Sequence, residues 1–348
     1  MEKEKVEQIK LSERDKKILE LIINDYINRA EPVGSRTISK RMNFALSPAT
    51  IRNIMADLEE LGFLVQPYTS AGRIPTDKGF RFYVDSILNV RRLTRKEREQ
   101  IRKQFKIDTH EVRDIMRQAS KILSSLSQCA GIVVTPKIDN IIIRHVEFIK
   151  INKKSVLVIL VSKSGMVQNK IIEIESEIDQ NLLTRMSNYL NSLTSDLTLS
   201  EVREKLIKEI TQVKKEYDTL INQALILGQK VFASQIECDI FIDGQINIFD
   251  EPEFADVEKI KALFKAFEEK SQLIKLLDKS MEAPGIKIFI GSENQVPAIK
   301  DCAIISSTYG NRLVGTLGVI GPRRMDYSRV IPIVDYTAQL VTKLLDSK

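Results

Sequence analysis

Between Ser47 and Val84 the chain reads SPATIRNIMADLEELGFLVQPYTSAGRIPTDKGFRFYV, and this stretch holds a helix whose two ends are both written locally. Ser47-Pro48 supplies an N-cap followed by proline at the first helical position, where its missing N–H is no loss and its fixed φ suits a helix. Gly62 follows Leu61 as a stop, because glycine readily takes the backbone conformation that closes a helix. The helix is therefore expected over Pro48–Leu61. Ile51, Ile54, Met55, Leu58 and Leu61 recur at three- and four-residue spacing and must share the face turned to a core. Opposite them in the first turns stand Ala49, Arg52, Asn53 and Ala56.

What precedes and follows this helix narrows the fold. From Ser12 to Arg29 the residues Ile18, Leu19, Ile22, Ile23, Tyr26 and Ile27 fall at helical spacing behind a Ser12-x-x-Asp15 start. EPVGS breaks the chain, and SRTISKRM from Ser35 predicts a short second helix. After the third helix, FLVQP and RIP are short β-type runs around the turn YTSAG. Three helices and a β-hairpin describe a winged helix-turn-helix, with Tyr68, Thr69, Ser70, Gly72 and Arg73 on the wing. Thr76 then caps a further helix carrying Phe80, Tyr83, Val84, Ile87 and Leu88.

The exposed face of the third helix carries residue types that suit base edges. Arg pairs with guanine O6 and N7, Asn with adenine N6 and N7, and a small apolar group meets the thymine methyl. Asp57, Glu59 and Glu60 sit toward the C-terminal end, which points away from the bases in this docking geometry. Arg52 and Asn53 would equally suit a solvated helix surface; the tri-helical setting favours DNA. On the wing, hydroxyls, backbone N–H groups and one charge could approach phosphates, with Ala71 and Gly72 leaving no bulk in the way. The other reading is a solvated turn.

Beyond this unit NVRRLTRKEREQIRKQFK is dense in charge, and it reads as a solvated helical linker or as a contact to phosphate. An apolar stripe from Val112 to Leu126 predicts a helix, and GIVVT, IIIRHVEFIKI, SVLVILVS and VQNKIIEIE predict strands. A helix around DQNLLTRMSNYLNSL follows. From roughly Ser192 to Ala283 helical patterns dominate, with a hairpin expected in DIFIDGQINIF at Asp243-Gly244. Strands return as GIKIFIG, CAIISSTY and RLVGTLGVIG before a closing helix from Ser328. A β-rich region interrupted by helices suits a domain with an insertion, its first and last strands sharing one sheet.

With 348 residues, 43% hydrophobic and 29% charged, the chain can bury more than one core. A net charge of +6 permits an anionic partner without demanding one. Cys129, Cys238 and Cys302 lie far apart with no C-x-x-C, which argues against a disulfide framework or zinc knuckle and for a reducing, cytoplasmic setting. No apolar run approaches a membrane span. His110 and His145 lack metal-ligand spacing, and Gly315, Gly318 and Gly321 recur every third residue in an apolar strand rather than as G-x-G-x-x-G. No catalytic, cofactor or metal constellation emerges, so a non-enzymatic regulator is expected. GPRRMDYSRV, with Arg323, Arg324 and Arg329, reads either as a contact between domains or with a chaperone, or as a charged surface loop.

The segments PVGSRTI, SPATIRNIMADLEELGFLVQPYTSAGRIPTDKGFRFYVD and GTLGVIGPRRMDYSRVI resemble the HrcA family, the heat-inducible repressors of bacterial chaperone operons. The N-terminal match is long and specific; in the middle of the chain only order and length correspond. The resemblance implies an α+β multidomain protein: a winged-helix domain (1–90), a GAF-like α+β domain in two parts (91–191 with its helical linker, and 285–348), and a dimerising insertion (192–284). It also implies a homodimer on the CIRCE inverted repeat in double-stranded DNA, repressing transcription with support from a GroEL-type chaperonin. Ser47, Thr50, Arg52 and Asn53 take the recognition-helix role, Ser35 and Arg36 the second-helix backbone contacts, and Tyr68, Ser70 and Arg73 the wing. The dimer interface is expected within the insertion, where ALFKAF and LIKLL offer apolar faces. The alternative is a winged-helix regulator that senses a metabolite through its GAF-like domain.

Overall fold

Ser12 opens the first helix by accepting the Asp15 N–H at 3.2 Å, and α1 (Glu13–Arg29) buries Ile18, Leu19, Ile22 and Ile23. The computed structural model describes residues 11–105, 112–135, 142–163, 167–174, 177–194, 197–198, 201–202, 204–206, 208, 225–228, 239–248, 251–269, 273–274, 277, 285–294, 296–310 and 315–346. Next come α2 (Ser35–Arg41) and α3 (Pro48–Glu60). Ser47 accepts the Thr50 N–H at 3.1 Å, and Gly62 closes α3 at φ +78°. Ile51, Ile54, Met55 and Leu58 are buried as their spacing requires. Leu61 departs from expectation: it lies beyond the last helical residue and is exposed.

The wing is β1 (Leu64–Val65) paired with β2 (Ile74–Pro75), and α4 (Asp77–Phe82) follows, running into a π-helical turn over Tyr83–Ile87. Two-residue strands are marginal alone. The hairpin gains a third partner in Val33, which exchanges two backbone hydrogen bonds of 2.9 Å with Arg73. The charged linker contains α5 (Arg95–Gln104), opened by a reciprocal Thr94–Glu97 capping box.

Helix α6 (Val112–Ser127) leads to β3 (Ala130–Val134). This strand belongs to a five-stranded antiparallel sheet of order β7-β3-β10-β9-β8, with β7 over Ile240–Asp243, β8 over Ile286–Ile290, β9 over Cys302–Tyr309 and β10 over Gly315–Pro322. The expected pairing of an early strand with a late one is present in β3 and β10, in register from Thr316 opposite Val134 to Ile320 opposite Ala130. The three central strands are almost wholly buried because the sheet is covered on both faces, and so they read as continuous apolar runs. Val133, Ile305, Leu317 and Val319 face α6 and the last helix, α9 (Tyr327–Asp346). Ile132, Ile304 and Ile320 face Phe254 and the helix α8 (Val257–Glu268).

A second sheet, β4 (Ile143–Lys150), β5 (Ser155–Ser162) and β6 (Val167–Glu173), packs Val146, Phe148, Val156, Val158 and Ile172 onto α7 (Gln180–Thr194). Asn191 and Gln180 of α7 close the free edge of β4: the Asn191 amide both accepts from and donates to the Val146 backbone, and the Gln180 amide donates to Phe148 O. The opposite face of this sheet carries Ile149, Leu157, Ile171, Ile159, Val161 and Val167, of which Val167 and Ile171 are each 61% exposed.

Two sequence readings change. DIFIDGQINIF is not a hairpin: β7 pairs with β3, and past Gly244 the chain makes a 3-10 turn over Gln245–Ile248. Leu263 and Phe267 of ALFKAF, with Leu273 and Leu277 of LIKLL, are not left for a partner but buried in the core under the five-stranded sheet. Of the readings offered for GPRRMDYSRV, the contact between domains holds for Arg323 and Arg324, which bond to the winged helix, while Arg329 is exposed. Cys129 and Cys302 are buried, and burial pushes each thiol up to about 12. His145 is exposed near Glu147, while His110 and Cys238 lie outside the described residues. Among the described residues no His, Cys, Asp and Glu gather as a metal site, and no helix is long and apolar enough to cross a membrane.

Candidate nucleic-acid interface

A groove of about 480 Å³ opens between the N-terminal end of α2, the outer face of α3 and the wing. Ser35, Arg36, Arg52, Ser70 and Arg73 line it, so the fold brings together one residue set drawn from three separate elements. Arg52 and Asn53 are exposed on α3 beside Ala49, and Ala56 is half-buried. Among the described residues neither Arg36 nor Arg52 meets a carboxylate, so both guanidiniums remain open to an anion.

The hydroxyls have a prior task. Ser47 Oγ lies 2.9 Å from Thr50 Oγ1 as well as accepting the Thr50 N–H, so this pair holds the helix start together. Ser35 is buried as the first residue of α2, whereas Tyr68 is 63% exposed at the wing's tip.

Arg73 stands differently from the other arginines. Its Nε donates to Glu59 Oε2 at 2.8 Å, and its side chain is only 19% exposed. Glu59 also accepts the Gln66 N–H at 3.0 Å through its other oxygen. Gln66 in turn donates from Nε2 to Thr69 O and Ala71 O, bracing the turn from inside. Glu59 is thus the clamp between α3 and the wing, a role its place among three acids did not disclose. Gln66 and Val33 lie within FLVQP and PVGSRTI, but the sequence reading gave neither a role, since each acts through a partner distant along the chain.

Gly72 serves the fold before any ligand. A Cβ at this position would lie 2.4 Å from the Val33 carbonyl carbon and oxygen, closer than real side chains come. The missing side chain lets the wing lie against the segment before α2, rather than merely clearing space for phosphate.

Comparison with known proteins agrees with this architecture. Residues 10–85 match the family described as "Winged helix-turn-helix transcription repressor, HrcA DNA-binding", and residues 113–331 match "HrcA protein C terminal domain". The "Heat-inducible transcription repressor HrcA" of Geobacter sulfurreducens is 49% identical over 340 residues, spanning 97% of this chain and 99% of that protein. Its counterpart in Syntrophobacter fumaroxidans is 45% identical over 340 residues, with 97% and 98% covered. A solved structure described as a hypothetical protein at 2.2 Å resolution shares the fold, with TM-score 0.58, 23% identity and 97% and 99% coverage. A winged helix with an open arginine-lined groove, joined to a C-terminal region matched along its length, places this chain in the HrcA family of heat-inducible transcription repressors.

Proposed function

We propose that this repressor binds a CIRCE-type inverted repeat as a homodimer, one winged helix per half-site, and that a GroEL-type chaperonin supports its active form. The observation that carries the DNA reading is the convergence of Arg36, Arg52, Ser35 and Ser70 on one groove beside the exposed Asn53. In this reading Arg52 and Asn53, with Ala49 and Ala56, read base edges, while Ser35, Arg36, Ser47, Thr50, Tyr68 and Ser70 contact the backbone. Arg73 holds the wing through Glu59 and adds its charge at the rim. No enzymatic step is involved, and the family is one of regulators.

Dimerisation follows from the number of bases one recognition helix can reach, too few for a unique genomic site. The outer face of β4–β6 supports it structurally: Ile149, Leu157 and Ile171 form one cross-strand row and Val161 and Val167 another, with Ile149, Val167 and Ile171 exposed among the described residues. This face precedes residue 192, so we place the contact on β4–β6 as well as on the 192–284 segment. The division into a winged helix (1–90), a two-part GAF-like domain and an insertion remains the framework of the proposal, with β7 the one described strand that the 192–284 segment lends to the main sheet. Footprinting of the purified protein upstream of chaperone operons tests the reading. Protection of both arms of an inverted repeat is the expected result, and protection of a single arm or of no discrete site would overturn it.

A further inference from the structure

The winged helix and the five-stranded domain share one continuous apolar core, in which Phe80 lies between Tyr26 and Tyr327 at ring separations of 6.3 and 6.2 Å. Around that contact runs a set of polar bonds between residues far apart in sequence. Asp77, the first residue of α4, accepts the Ser292 N–H at 2.9 Å and receives Arg323 Nη1 at 2.9 Å. Arg323 reaches on to Asp301 at 3.3 Å. One turn later on α4, Arg81 donates to Glu293 Oε1 at 2.8 Å and to Ile288 O at 2.6 Å. Gly291, at φ +55°, admits the Asp77 carboxyl so closely that a Cβ there would lie 2.2 Å from Asp77 Cγ.

The same helix is tied to the DNA-reading unit from its other side. Lys78 Nζ donates to Leu61 O at 2.9 Å, and Thr76 Oγ1 donates to Gly62 O at 2.7 Å, both just past the end of α3. Helix α4 therefore has the recognition helix on one side and the core domain on the other. Charged, directional bonds fix an angle, which apolar contact alone leaves free to slide.

We infer that the joint formed by Asp77, Arg81 and Arg323 with Gly291, Ser292 and Glu293 sets the separation of the two recognition helices, and hence the spacer length of the inverted repeat that the repressor accepts. The inference rests on the dimer reading above. These are positioning residues: none lines the groove, and each acts through the orientation of α3. Half-site spacing is a geometric property of a dimer whose reading heads are rigidly mounted, so loosening the mount broadens the range of spacings without changing what one head reads.

The test uses the full chain and duplexes carrying two half-sites whose spacer is varied one base pair at a time over about one helical turn, together with a duplex carrying one half-site. Asp77→Asn and Gly291→Ala are compared with wild type, with sedimentation run alongside. The expected result is a preferred spacer in wild type, and in both variants a discrimination between best and worst spacers reduced by about fivefold or more, with single half-site affinity and dimer mass unchanged. Variants that keep the wild-type spacer profile, or that lose single half-site affinity in step, overturn the inference and leave the joint a purely structural one. A monomeric wild type that binds one and two half-sites alike would instead overturn the dimer reading itself.

Discussion

Arg73 of the wing and Glu59 of α3 meet at 2.8 Å, and this pair converts a two-strand hairpin into a fixed wall of the groove between α2, α3 and the wing. Because Glu59 offsets the charge, Arg73 and Arg36 are expected to respond differently to replacement. Arg36→Ala should weaken binding to all DNA and lower the salt slope by about one ion. Arg73→Ala should lower the slope by less, while costing the winged helix about 1 kcal/mol of stability through the partly buried pair. Salt titrations of binding with thermal melts check both, and a larger slope change for Arg73 would show that its pairing yields to DNA.

Arg52 and Asn53 project from the capped half of α3, so their loss should be felt by sequence rather than by charge. Replacing either with Ala is expected to cost about 1–3 kcal/mol on the operator while leaving random DNA almost unaffected. Competition binding on the two DNAs measures this, and equal losses would mean that the face does not read bases.

Gly72→Ala places a methyl group where the Val33 backbone already stands. Either the wing or the segment before α2 must move, at an expected cost of about 1–3 kcal/mol in stability. Operator affinity should fall with it, although no DNA-facing side chain has changed. Chemical denaturation and a binding isotherm on the same sample decide, and unaltered affinity would detach wing placement from recognition.

Ile171 is 61% exposed on the edge strand β6, in the outward apolar row it forms with Leu157 and Ile149. Ile171→Asp should therefore leave the fold intact and shift sedimentation toward the monomer, with operator affinity falling toward that of one half-site. A variant still dimeric at micromolar concentration would move the interface elsewhere, toward the 192–284 segment.

Asp77 gives the joint a pH dependence. Burial raises its pKa, but the Ser292 N–H and the Arg323 guanidinium outweigh burial and hold the carboxyl below its ordinary 3.8. A depressed folded-state pKa contributes stability that is present above the unfolded value and lost as pH falls through the folded one. The stability gap between wild type and Asp77→Asn should accordingly be constant near neutrality and close below about pH 4. Melting curves of the two proteins across that range provide the measurement; a gap that persists unchanged in acid would assign the bond to the backbone rather than the charge.

The sequence by itself determined the elements whose signals are local. Ser12, Ser47 and Thr76 each accept a backbone N–H three residues on, so helix starts were legible within a single turn of chain. The buried stripe Ile51, Ile54, Met55 and Leu58 fixed which side of α3 faced outward, and thereby Arg52 and Asn53. Only the tertiary structure decided what depends on partners brought from afar. Glu59 became a clamp because the wing folds back onto it, and Gly72 a packing requirement because Val33 arrives from before α2. Leu263 and Phe267 of ALFKAF found their cover in strands distant in sequence. Arg323 and Asp77, 246 positions apart, carry no mutual trace along the chain. Their ion pair exists because a shared apolar core brings α4 beside β8 and β10, and a contact of that kind is set by packing in three dimensions rather than by periodicity in one.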